Sequence, residues 1–124
     1  MAYSNLLFVD EDFWYHVNNC NYLRDCGLNV MEAYSTSEAT MYIRGPKRLT
    51  ALVTDIDLGN GADGFRVARR ARAVYPDLPV VYMSGAGASS HRDTGVKWSE
   101  YVSKPFNPQR IVEALERATH LEAA

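Results

Sequence analysis

Residues 51–65 read ALVTDIDLGNGADGF. The stretch opens on an apolar run, 51–54, of the length and character of a strand buried on both faces, and it runs straight into the carboxylate of Asp55. Asp57 follows, then a turn carrying Gly59, Gly61 and Gly64. Beyond it a helical pattern covers roughly 64–75, with Val67, Ala71 and Val74 on one face and Arg66, Arg69 and Arg70 on the other. The order is therefore strand, acidic turn, helix. Outward from this unit the pattern repeats, with short apolar runs at 6–9, 30–33 and 80–83 and a weaker one at 101–102. Between the runs lie helical stretches at roughly 13–26, 37–44 and 108–120, and a short one near 89–98. Gly27 closes the first helix, Ser35 to Ser37 cap the second, and Asn107-Pro108 starts the last. Strands that are apolar on both faces and alternate with helices predict an α/β fold. It is a doubly wound parallel sheet, covered on both sides and built from right-handed βαβ units.

The chain has 124 residues, 47% of them apolar and 23% charged, enough for one domain with its own core and too apolar for disorder. Thirteen Lys and Arg stand against fifteen Asp and Glu, a net charge of −2, which argues against a nucleic-acid surface. The arginine face at 66–70 lacks interleaved aromatics and reads as a solvated helix face. Cys20 and Cys26 form neither a readable zinc motif nor a disulfide framework, so a cytoplasmic location is expected. The run at 6–9 is too short for a signal-peptide core or a membrane span, so no membrane partner is expected. His16, His91 and His120 are scattered and read as surface histidines. Trp14, Tyr15 and Tyr22 suit either the core or docking to a partner.

In sheets of this class ligands sit at the carboxyl ends of the strands, where the winding reverses. Strand one ends in Asp10-Glu11-Asp12, strand three in Asp55 with Asp57 two residues on, and strand four in Ser84-Gly85. Strand five is followed by Lys104-Pro105. An Asp after a strand is usually a cap or turn former. Several converging carboxylates, however, repel one another and call for a cation, and oxygen donors with positions left for water suit Mg²⁺. A carboxylate beside Mg²⁺ and a fixed lysine is a nucleophile toward phosphorus, with Lys104 and the Ser84 hydroxyl placed to stabilise the transferring oxygens.

These residues give the chain a resemblance to a known family, the receiver domain of bacterial two-component response regulators. The resemblance covers residues 5 to 119 and rests on LLFVDED, LVTDIDLGNGADGF, VVYMSG and YVSKPF, in that order. It implies a three-layer flavodoxin-like (βα)5 sandwich with strand order 2-1-3-4-5. It also implies phosphorylation of Asp55 by a histidine kinase or histidine phosphotransfer protein. Mg²⁺ is then held by Asp10, Glu11, Asp55 and the carbonyl of Asp57, Lys104 pairs with the phosphoryl oxygens, and Lys104-Pro105 is a cis bond. Ser84 and Tyr101 resemble the family's switch pair, and Asp57 and Ala86 occupy the positions that tune phosphate lifetime. The expected protein is one receiver over residues 1–124 with no output domain. It would signal to a downstream protein as a monomer or phosphorylation-dependent dimer, or act as a phosphate sink, and catalyse only its own phosphoryl transfer and autodephosphorylation.

The chain departs from the family's pattern in three places. The segment between Ser84 and Lys104 is about two residues short and rich in small residues, so the fourth helix is expected to be short. The turn after Asp55 is one residue longer than usual. Asn18 and Asn19 stand on the first helix where aliphatic side chains are usual, leaving Val17 and Leu23 to take over the packing. Two alternatives are a small phosphatase of the haloacid dehalogenase type, using Asp55 and Asp57 as a D-x-D pair, and a receiver-like adaptor that binds without phosphate. The first expects its D-x-D after strand one and an acidic pair late in the chain; here the acidic pair comes first.

Overall fold

The computed structural model describes residues 5–59, 63–85, 94–104 and 107–123. Five strands, β1 (Leu6–Val9), β2 (Val30–Ala33), β3 (Ala51–Asp55), β4 (Val80–Ser84) and β5 (Glu100–Ser103), form one parallel sheet of order β2-β1-β3-β4-β5. Among the described residues its helices are α1 (Phe13–Asp25), α2 (Thr36–Arg44), α3 (Gly64–Val74) and α4 (Gln109–Ala123). Residues 89–93, the first half of the short helix expected near 89–98, fall outside the described ones. Among the described residues no helix is long and apolar enough to cross a membrane.

Alternation along the central strands divides the core in two. Leu7 and Val9 of β1 face Met31, Leu52, Tyr82, Ile43 of α2 and Val67 of α3. Leu6 and Phe8 face Val53, Val81, Leu23 of α1 and Ile111 and Leu115 of α4. All four residues of β1 are fully buried, as a strand covered on both faces requires.

The helix ends follow local chemistry. Asp12 caps α1, accepting from the N–H groups of Trp14 and Tyr15, and Gly27 closes it at φ 92°, a conformation that favours glycine. Ser35 accepts from Glu38 N at 3.1 Å to start α2, and Asn107 accepts from Gln109 N at 3.2 Å to start α4.

Two packing expectations fail. Val74 is exposed, because α3 ends there and its buried stripe is carried by Gly64, Phe65, Val67, Ala68 and Ala71. On α1, Leu23 packs as expected but Val17 is only half-buried. The inward face instead carries His16, Asn19 and Cys20. The Asn19 Nδ2 donates to the Tyr15 carbonyl of the preceding turn at 2.7 Å, while its buried Oδ1 makes no hydrogen bond among the described residues.

Candidate functional site

The chain leaves β1 for the sheet edge at β2 and returns through β3 toward β4 and β5, so the winding reverses between β1 and β3. In that pair Val9 stands opposite Thr54, which sets Asp10 and Asp55, the next residue on each strand, side by side. On the far side Ser84 stands opposite Ser103, and the Lys104 N–H donates to the Ser84 carbonyl at 2.9 Å. Residues distant in sequence thus reach one crevice because parallel strands in register end together.

Lys104 joins them. Its Nζ donates to Asp10 Oδ2 at 3.2 Å and to Asp55 Oδ2 at 3.3 Å, and lies 4.4 Å from the centre of the Tyr15 ring. Tyr15 is therefore neither simply core nor simply docking surface; its ring face receives the ammonium from the first turn of α1. Asp10 is fully buried, and its second carboxylate oxygen accepts from Asp12 N at 2.9 Å. Of the three acids after β1, Asp12 has the ordinary role of helix cap.

Asp55 Oδ1 accepts weakly from Asp57 N at 3.4 Å, while the Asp57 side chain is exposed and accepts from Gly59 N at 3.1 Å. A bridge between Asp57 and Asp63 closes the intervening loop. The Glu11 carboxylate lies against Gly59: a Cβ built there would stand 2.9 Å from Glu11 Oε2, and the φ of +69° favours glycine as well. Gly59 thus keeps room for a third carboxylate at the mouth of the site. The donors are oxygens throughout, on a cluster in which one ammonium serves two buried acids, and that set fits a hard divalent cation such as Mg²⁺.

Ser84 is buried at the end of β4, and the Tyr101 hydroxyl donates to its carbonyl at 3.0 Å. The proposed switch residues are thereby in contact through β4 backbone. Ala86 and Pro105, with the cis bond expected before Pro105, lie outside the described residues, as do His91 and the side chain of His120.

His16 overturns the expectation of a surface histidine. It is fully buried under α1, with Nδ1 2.9 Å from the Asp10 carbonyl and the ring stacked on Tyr34 at 3.8 Å between centroids. The one sequence signal was position: His16, Cys20 and Leu23 follow helical spacing on one stripe, and a histidine on that stripe goes inward with it.

Burial pushes the Asp55 carboxyl up to about 6 from 3.8; Lys104 opposes that rise and the Asp10 charge adds to it. A carboxyl raised in the fold binds its proton more tightly there than in the unfolded chain. Its charge therefore costs stability as pH climbs through the unfolded value, and the full cost is present above about 6. Asp55→Asn should accordingly stabilise the metal-free protein at pH 8, by on the order of 2 kcal/mol after allowance for solvent at the mouth of the site. The gain should vanish near pH 4. Urea unfolding at both pH values checks this, and a loss of stability at pH 8 would contradict it.

A family model described as the response regulator receiver domain matches residues 6–116. An NtrX-like response regulator of Rickettsia felis is 30% identical over 121 residues, which cover 95% of this chain and 25% of that protein. The transcriptional regulatory protein CssR of Bacillus subtilis is 28% identical over 125 residues, covering 98% of this chain and 53% of that protein. Among solved structures, a response regulator receiver protein from Sinorhizobium medicae superposes with a TM-score of 0.90 at 28% identity, covering 97% of each chain. The chain spans about a quarter of the length of the NtrX-like relative and about half that of CssR.

Proposed function

The chain belongs to the response regulator receiver family, the receiver domains of two-component signalling systems, and we propose that Asp55 is its phosphoacceptor. Receivers are signal transducers that in general work with histidine kinases and bind Mg²⁺ at an acidic pocket. The observation that carries the reading here is the single ammonium of Lys104 held between Asp10 and Asp55. Burial works against that charge, yet the two carboxylates together outweigh it and hold the Lys104 pKa above the ordinary lysine value. Lys104 therefore stays cationic beside the carboxylate that is to receive an anionic group.

In the proposed step an Asp55 carboxylate oxygen attacks the phosphorus of a phosphohistidine on a kinase or phosphotransfer protein. The phosphorus–nitrogen bond breaks with its electron pair staying on the imidazole, leaving an acyl phosphate on Asp55. Lys104 follows the transferring oxygens, and the Ser84 hydroxyl donates to one of them. Asp10, Glu11, Asp55 and the Asp57 carbonyl would hold Mg²⁺, which supplies charge neutralisation at the phosphoryl oxygens when bound. The Tyr101 hydroxyl, on the Ser84 carbonyl, would carry the change to the β5 side of the sheet, where a downstream protein reads it.

With a phosphohistidine donor, the proposed location is the cytoplasm. One receiver over residues 1–124 remains the proposed domain organisation, with its own phosphoryl transfer and autodephosphorylation as its only chemistry. The haloacid dehalogenase alternative loses its footing because Asp55 ends β3 and not β1. Incubation with acetyl phosphate and Mg²⁺ tests the proposal. One phosphoryl group per chain is expected on the wild type and none on Asp55→Ala; equal uptake by both would overturn it.

Asp57 tunes the rate. Its exposed carboxylate caps Gly59 yet stays close enough to repel an incoming anion. Asp57→Asn keeps an acceptor for Gly59 N–H and removes the charge. Labelling by acetyl phosphate should therefore speed up several-fold at low salt, with the gain shrinking as salt screens the site. An unchanged rate at both ionic strengths would show that the side chain takes no part.

A further inference from the structure

Beneath the acidic crevice, on the α1 side of the sheet, lies a second group of metal-ligating side chains that the phosphoacceptor chemistry does not use. His16 and Cys20 stand one helical turn apart on α1, and Glu32 projects from β2 on the same side. One ligand atom from each lies within 4.8 Å of the others. His16 and Cys20 are 0% and 1% exposed, whereas the Glu32 side chain reaches the surface at the sheet edge.

The imidazole is oriented for a ligand. A carbonyl oxygen only accepts, so His16 Nδ1, 2.9 Å from the Asp10 carbonyl, carries the proton of the neutral ring and Nε2 presents its lone pair. That Nε2 lies 2.9 Å from Glu32 Oε1, yet it is a buried nitrogen that makes no hydrogen bond. A nitrogen lone pair and a carboxylate oxygen at this distance call for a positive centre shared by both, either a proton on the ring or a metal ion. Stacking on Tyr34 and the edge of Phe8, 5.2 Å away, fixes the ring plane. Arg24 Nη2 binds the other Glu32 oxygen at 2.6 Å and turns Oε1 inward, the part an outer partner plays for a ligating carboxylate.

We propose that His16 Nε2, Cys20 Sγ and Glu32 Oε1 form a site for a borderline transition-metal ion of the Zn²⁺ class, separate from the oxygen-only Mg²⁺ pocket. Imidazole, thiolate and carboxylate are the donors such an ion selects, and Mg²⁺ takes neither thiolate nor imidazole readily. Nε2 and Oε1, 2.9 Å apart, already stand at about the spacing of neighbouring zinc ligands, and a shift on the order of an ångström by Cys20 Sγ, within 4.8 Å of both, completes three corners of a tetrahedron with a fourth left for water. The thiolate and carboxylate neutralise the ion's two charges inside the fold, and Arg24, half-exposed on the rim, stays on the outer Glu32 oxygen. Burial, with Glu32 adding, pushes the Cys20 thiol up to about 12, so without metal it is protonated. Binding forms the metal–sulfur bond and releases that proton to water. The ion would enter past Glu32 and Arg24 at the edge strand.

Co²⁺ titration of the full chain, in reducing buffer with Mg²⁺ in excess to fill the acidic pocket, tests this. One equivalent should give tetrahedral visible bands and a thiolate-to-cobalt charge-transfer band. Both should persist in Cys26→Ser, disappear in Cys20→Ser, and be displaced by Zn²⁺ but not by more Mg²⁺. Should Cys20→Ser fail to fold, Glu32→Gln, altered only at the exposed edge, should retain the sulfur band with binding at least tenfold weaker. Absence of the band in the wild type, a band that follows Cys26, or unchanged binding in Glu32→Gln would overturn the assignment.

Discussion

Gly64→Ala is expected to destabilise the protein by about 3 kcal/mol, the upper end of the overpacking range. Its Cβ would stand 2.0 Å from the Asp55 carbonyl oxygen and 2.8 Å from the carbonyl carbon, with Ile56 Cα at 3.0 Å. These are backbone atoms of β3 and its exit, so no side-chain rotation relieves the clash. Gly64 N also donates to the Ile56 carbonyl at 2.7 Å, which ties the start of α3 to the residue after Asp55. To fit a methyl group the helix must lift or the strand end must move, and either displaces Asp55 from Lys104. Chemical denaturation should show the loss, and acetyl phosphate labelling should slow in the fraction that remains folded. A stable Gly64→Ala protein that labels at the wild-type rate would mean that α3 does not hold this close approach.

Lys104→Met should cost about as much, on the order of 3 kcal/mol at pH 8 without metal, because it leaves two buried carboxylates with no cation between them. The cost should depend on pH in a set direction. Asp55 already titrates at about 6, and removing the ammonium lifts it further, so below that pH the acid is neutral and the penalty shrinks. Mg²⁺ should restore part of the stability at pH 8 but not the labelling, since the cation proposed to follow the phosphoryl oxygens is gone. Unfolding curves at pH 5 and pH 8, with and without Mg²⁺, separate these effects. A loss equal at both pH values would point to packing of the lysine stem and away from charge.

Much of this site was legible in the sequence because each component ends a strand. Asp10, Asp55, Ser84 and Lys104 close or follow the runs at 6–9, 51–54, 80–83 and 101–102, and in a parallel sheet the ends of neighbouring strands converge whatever the loops do. Family resemblance added the strand order, which local patterning does not carry. Illegible features depended on what a helix faces. Beyond the place of His16 on the stripe of Cys20 and Leu23, residues 13–26 do not say that His16 and Asn19 are buried, since a polar residue on a core stripe reads as a break in the pattern until its partner is seen. Those partners are the Asp10 and Tyr15 carbonyls, and backbone carbonyls leave no mark on composition. Tyr15 was open between core and surface for the same reason; Lys104, 89 positions on, decides it. Val74 failed because the spacing of a stripe does not say where the helix stops.

The most direct test of the central claim is to find where the phosphoryl group is attached. An acyl phosphate is reduced by borohydride, and an aspartyl phosphate so treated becomes homoserine. After incubation with acetyl phosphate and Mg²⁺, reduction and peptide mass spectrometry, homoserine should appear at position 55 and nowhere else. Homoserine at position 10 or 57, or wild-type protein left without any, would contradict the account.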